Sequence, residues 1–167
     1  MLVLTPKNAY DKGVWKSEVS DHTTAKVIDL ETVYQRAGLN KDKIKKIMEV
    51  YHIIVCKHSH VRNLGSLISI ICSLGRTVVV WDELHKLKNP KSSLTVLNRV
   101  ACNQAYARWS LTATPLSRNL EDCYNLVNFI NPWYLGTFDS FKKEYCTKRD
   151  VVISDIVTGK QIGRAHV

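Results

Sequence analysis

The stretch "TVVVWDE", Thr77 to Glu83, constrains this chain more than any other. Three consecutive valines and a tryptophan carry no polar alternation, and β-branched residues favour extended backbone. A strand of this kind is apolar on both faces and fits a sheet covered on both sides, the arrangement of parallel sheets built from βαβ units. The strand ends on two adjacent carboxylates, Asp82 and Glu83, followed by His85 and a basic turn broken at Pro90.

The rest of the chain supplies matching elements. Short apolar strands are expected over residues 2–5, 25–30, 51–57 and 107–114, and helices over 10–19, 41–50, 64–72, from Ser92 or Ser93 to about 103, and 120–130. Asn119 and Thr137 are positioned as helix caps, the second opening "FDSFKKEYC". Strands alternating with helices predict an α/β fold, a parallel sheet flanked by helices. A chain of 167 residues fits one domain with a real core. The hydrophobic share of 45% and charged share of 23% are those of an ordinary globular protein.

The net charge of +9 favours a polyanionic partner, nucleic acid first. The lysines of "KDKIKK", from Lys41, read as the solvated face of an amphipathic helix. Five scattered cysteines without a C-x-x-C read as reduced core thiols in an intracellular compartment, and His58 and His60 as surface histidines. The start has no basic signal-peptide region, and the longest apolar stretch, 64–75, is too short to span a bilayer, so no membrane partner is expected.

In wound sheets ligands sit outside the carboxyl ends of the strands, where Asp82 and Glu83 are expected. The first carboxylate can hold a hydrated magnesium on nucleotide phosphates, and the second can orient and deprotonate a water. His85 is within reach of the next strand, whose Thr112 and Thr114 are expected on one side at alternate positions. Taken singly, each pattern also fits a solvated acidic pair at a loop, or threonines in a turn before Pro115.

Together, "DELHKLKNPKSS" and "WSLTATPLSRNLEDCYNLVNFINPWYLGTFDSFKKEY" closely resemble the Swi/Snf-type ATPases, helicase-like superfamily-two motors that move on double-stranded DNA. D-E-x-H resembles their motif II and L-T-A-T-P their motif III. More weakly, "LVLTPKNAYDKGVWKSEV" is similar to motif Ia, and "HIIVCKHSHVRN" stands where the family has motif Ib. The resemblance implies a RecA-like P-loop NTPase lobe over 1–161 that uses ATP and magnesium, with a second RecA-like lobe of the same parent chain as partner. Asp82 would bind the metal and, with Glu83, the nucleotide. Glu83 would be general base, and His85, Thr112 and Thr114 would couple hydrolysis to lobe movement. Thr5, Lys7, Lys57 and His58 match the nucleic-acid positions of motifs Ia and Ib. Leu84 replaces the commoner alanine of motif II and is expected to point into the lobe.

No glycine is followed by Lys-Ser or Lys-Thr, so the phosphate loop that precedes motif Ia in the family is missing from these residues. The expected lobe is thus truncated at both ends, with an unpaired sheet edge, poor ATP binding and negligible hydrolysis on its own, since an arginine finger alone is worth about 10³–10⁵ in rate. Residues 162–167, "IGRAHV", can be back-translated to a string resembling a sequencing adapter and are read as a sequencing or cloning scar. Two other readings stand: the motor lobe of a restriction-type superfamily-two helicase, and a non-catalytic DNA-binding module.

Overall fold

The computed structural model describes residues 1–115 and 120–146 in full, and the backbone of 150–154 and 161–166. In chain order these form β1 (Leu2–Thr5), α1 (Lys7–Asp11), α2 (Val14–His22), β2 (Val27–Asp29), α3 (Leu30–Ala37), α4 (Lys41–Val50), β3 (Ile53–Lys57), α5 (Val61–Ser73), β4 (Val78–Asp82), α6 (Ser93–Ala101), β5 (Ala107–Leu111), α7 (Leu120–Ile130) and α8 (Phe138–Tyr145). Two further strands, β6 (Asp150–Ser154) and β7 (Gln161–His166), pair antiparallel with each other, so the backbone of residues proposed as a scar lies in a hairpin. Asn119, the expected cap of α7, lies outside the described residues.

β1 to β5 make one parallel sheet in the order β2-β3-β1-β4-β5. The pleat divides its side chains between two cores. Leu2, Leu4, Ile54, Cys56, Val79 and Trp81 face a large core closed by α3, α4, α5, α6 and α7. Val3, Val55 and Val80 face a smaller one closed by Val19 and Trp15 of α2. Trp81, 1% exposed, meets Phe129 of α7 edge-on at 4.8 Å between ring centres, so α7 is packed directly beneath the residue before Asp82.

The expected α/β fold is present, with local corrections. The single helix expected over 10–19 is two helices, because Gly13 adopts φ +66°, a left-handed turn open to glycine. The strand expected over 25–30 ends at Asp29, and Leu30 opens α3, whose Leu30, Val33 and Ala37 recur at helical spacing and are buried. Thr137 caps α8 by accepting from Ser140 N–H. Ile44 is the one fully buried residue of α4, and the lysines around it are exposed, as expected for a solvated face. Cys56, Cys72 and Cys102 are buried free thiols. No helix among the described residues is long and apolar enough to cross a membrane.

The reading of His58 and His60 as surface residues is corrected: they are 6% and 9% exposed. Both lie in the turn after β3, and His58 Nε2–H donates to the Leu4 carbonyl at 3.1 Å, which joins that turn to β1.

β5 is the outer strand on one side of the sheet, and no strand among the described residues pairs with its free edge. Trp109 is 59% and Leu111 45% exposed there, beside Tyr106 and Val100 at 64% each. An open edge with large apolar side chains is a template for pairing between copies. The isolated chain is therefore expected to sediment with a concentration-dependent mass, and Trp109→Lys to shift it towards monomer. An unchanged distribution would remove this edge as the contact.

Burial pushes the His58 imidazole down to about 4, against the opposing pull of the Leu4 carbonyl and of Asp82. The unfolded chain takes up the proton near 6.5 and the folded chain only near 4, so stability is full above that window and falls as the pH drops through it, by roughly 3 kcal/mol. His60 is lowered in the same direction by burial. Urea midpoints followed from pH 7 to pH 4 should fall less steeply in His58→Gln, which keeps a donor for Leu4 and cannot titrate. Equal slopes would contradict the buried neutral imidazole.

Candidate functional site

Parallel pairing brings the carboxyl ends of β1, β4 and β5 to one side of the sheet. Leu4 stands opposite Trp81, and Asp82 opposite Leu111, so Thr5 reaches Asp82 and Thr112 follows directly at the end of β5. Thr5 Oγ1 donates to Asp82 Oδ2 at 2.8 Å, and the indole Nε1–H of Trp15, from α2, donates to the same oxygen at 3.1 Å. Neither partner is legible locally. Trp15 reads as the apolar side of a helix and Thr5 as a strand end, and only the register of β1 on β4 joins them to residue 82.

Glu83 leaves β4 with φ +52° and ψ +48°. A left-handed conformation costs a non-glycine residue about 1–2 kcal/mol. It is imposed because the next turn, Leu84–Leu87, buries both its leucines completely or nearly so, which also meets the expectation for Leu84. The turn is held from the far side by Lys88, whose ammonium is 2.8 Å from Asp122 of α7.

His85 Nδ1 lies 3.0 Å from Thr112 Oγ1, the hydroxyl–histidine contact expected between the two strand ends. The same nitrogen is 3.0 Å from Glu83 Oε2, yet that buried oxygen has no aligned hydrogen bond. We take the Thr112 contact as the bond and the Glu83 contact as proximity, because alignment decides hydrogen-bond strength. Thr114 corrects the expectation of two threonines on one side. β5 ends at Leu111, so strand alternation no longer holds. Thr114 contributes its backbone N–H to Thr112 Oγ1 at 3.2 Å.

The residues matched to nucleic-acid positions separate. Thr5 is 0% exposed with its hydroxyl on Asp82, and His58 is 6% exposed with Nε2 on the Leu4 carbonyl. Lys7 is the more exposed of the two lysines, its side chain 77% exposed and its ammonium 3.9 Å from Asp11. Lys57 is drawn back, with its ammonium 4.9 Å from the centre of the Tyr10 ring and 4.0 Å from Asp11. Lys7, Asn8, His58, Ser59 and Lys86 line an open cleft of about 270 Å³.

Among the described residues no three His, Cys, Asp or Glu side chains group as a metal cage. One held carboxylate with a second nearby suits magnesium, which keeps most of its waters and takes its remaining ligands from phosphates. The hard oxygen donors and the orphaned Glu83 oxygen fit a hydrated ion and a positioned water better than a soft transition metal.

The profile of the SNF2-related domain matches residues 1–159. DNA repair protein RAD5A of Arabidopsis thaliana is 33% identical over 138 residues, covering 78% of this chain and 13% of that protein. DNA repair and recombination protein RAD54B of Homo sapiens is 29% identical over 146 residues, covering 86% and 15%. The Sulfolobus solfataricus SWI2/SNF2 ATPase core in complex with dsDNA shares the fold, with a TM-score of 0.59 at 22% identity over 86% of this chain and 27% of that one. The chain thus spans a small part of the proteins it is similar to. With motifs II and III in place on a parallel RecA-like sheet and the profile covering nearly its whole length, the chain belongs to the SNF2-related domain family.

Proposed function

We propose that this lobe supplies the magnesium and water side of an ATP site in a longer protein that moves on double-stranded DNA. The observation that carries the reading is the convergence of Asp82, Glu83, His85 and Thr112 at two adjoining strand ends, the first three from β4 and the turn after it and Thr112 from the end of β5. Asp82, its carboxylate fixed by Thr5 and Trp15, would hold the magnesium, which neutralises developing charge on the phosphates when bound. Glu83 takes the proton of the attacking water. Its orphaned oxygen supports that role, because a buried carboxylate oxygen without a donor is stabilised by any water that reaches it.

The His85–Thr112 bond joins the turn after β4 to the segment after β5, and Thr114 extends the link through its backbone. This chain would relay the state of the nucleotide towards the second lobe. The phosphate loop would come from a strand pairing with the free edge of β5, and that strand and the second lobe would be supplied by the longer protein. DNA backbone phosphates would meet Lys7, with Ser59 and Lys86 across the cleft, and Lys57 after release from Asp11. The similarity to DNA repair proteins and the dsDNA-bound fold relative support this reading, which places the protein inside the cell with its DNA.

In the longer protein, Glu83→Gln should abolish steady-state ATP turnover while nucleotide affinity stays near wild type. Turnover within a factor of a few of wild type would remove Glu83 as the base. Glu83→Gly tests the strain separately. It should also abolish turnover, yet raise the stability of this chain by about 1 kcal/mol in urea unfolding, since glycine adopts the left-handed region freely. A loss of stability would show that the Glu83 backbone is not strained.

A further inference from the structure

We propose that Thr5 and Trp15 are positioning residues for the metal-bearing carboxylate, an inference that rests on Asp82 being the magnesium ligand. Two donors from different elements, a strand-end hydroxyl and a helix indole, converge on the single oxygen Asp82 Oδ2 at 2.8 and 3.1 Å. A carboxylate with one donor can still turn about its Cβ–Cγ bond. With two on the same oxygen its plane is set, and Oδ1 is directed as the oxygen that carries the cation. Bonds of this type to a charged acceptor are among the stronger ones, and the local setting favours them: Thr5 is 0% exposed and Trp15 is packed on the smaller core.

A plain packing role does not account for the pattern. Thr5 occupies a site where valine, nearly its isostere, would fill the same space between apolar neighbours, and its hydroxyl would otherwise have to be buried at a cost. Trp15 is only partly buried, so its indole N–H could reach solvent, yet it points inward to Asp82. The carboxylate is thus held by the segment Leu2 to His22, the same segment that presents Lys7 outward. Metal ligands held in this way lose about 10–100-fold in affinity when the supporting partner is removed.

The test uses Mn²⁺ as probe on the 167-residue chain with isotope-labelled tryptophan indoles. Mn²⁺ bound at Asp82 broadens the nearby Trp15 and Trp81 resonances in NMR spectra, and the concentration for half-broadening reports affinity. Thr5→Val should raise that concentration about 10-fold or more, and Thr5→Ser, which keeps the hydroxyl, should stay near wild type. Trp15→Phe, read at Trp81, should raise it similarly and serves independently should the valine variant fail to fold. Unchanged affinity in Thr5→Val and Trp15→Phe, with broadening still lost in Asp82→Asn, would overturn the positioning role and leave the magnesium reading intact. Broadening that persists in Asp82→Asn, or is absent in wild type, would overturn the magnesium reading and this inference with it.

Discussion

The parallel pairing of β1 on β4, Leu2 against Val79 through Leu4 against Trp81, is the interaction on which the rest of the molecule depends. It runs through the middle of the sheet with apolar residues on both faces, so a slip by one residue would exchange the large core for the small one. The same register sets Thr5 next to Asp82 and the turn after β4 next to the end of β5. The hydrophobic effect fixes the pairing, and the polar chemistry follows at the strand ends.

Two costs coincide at Glu83. Its backbone is left-handed and its carboxylate oxygen Oε2 has no aligned hydrogen bond, and the turn that follows buries Leu84 and Leu87 in the core. Strain persists only where surroundings over-determine it. Here those surroundings are the T-shaped Trp81–Phe129 contact below and the Lys88–Asp122 pair beyond the turn, both anchored on α7. The helix after motif III therefore does structural work for motif II, although 34 residues separate Lys88 from Asp122.

Much of this was legible in the sequence, for identifiable reasons. The valine strand, the carboxylate pair at its end, the Thr137 cap and the position of Leu84 depend on local pattern and steric rules, and they read correctly. The His85–Thr112 contact was accessible because both residues sit at strand ends in a fold whose strand ends gather. The failures are of two kinds. α3 and the break at Gly13 turn on where one element stops and the next begins, which propensity resolves poorly when Leu30 suits either. Burial of His58 and the Trp15–Asp82 bond depend on partners 54 and 67 positions away in geometries that only the assembled sheet defines.

α2 carries its two anchoring side chains in succession. Trp15 reaches Asp82 at the end of β4, and its neighbour Lys16 pairs with Asp29 at the end of β2, on the far side of β1 and β3. Successive residues on a helix point about 100° apart. A helix tied at one residue can roll about its axis. Tied at two adjacent residues in different directions, it resists both roll and slide. The helix therefore behaves as a crossbar with fixed orientation, and a load applied at its amino end is delivered as torque to Asp29 and Asp82 together.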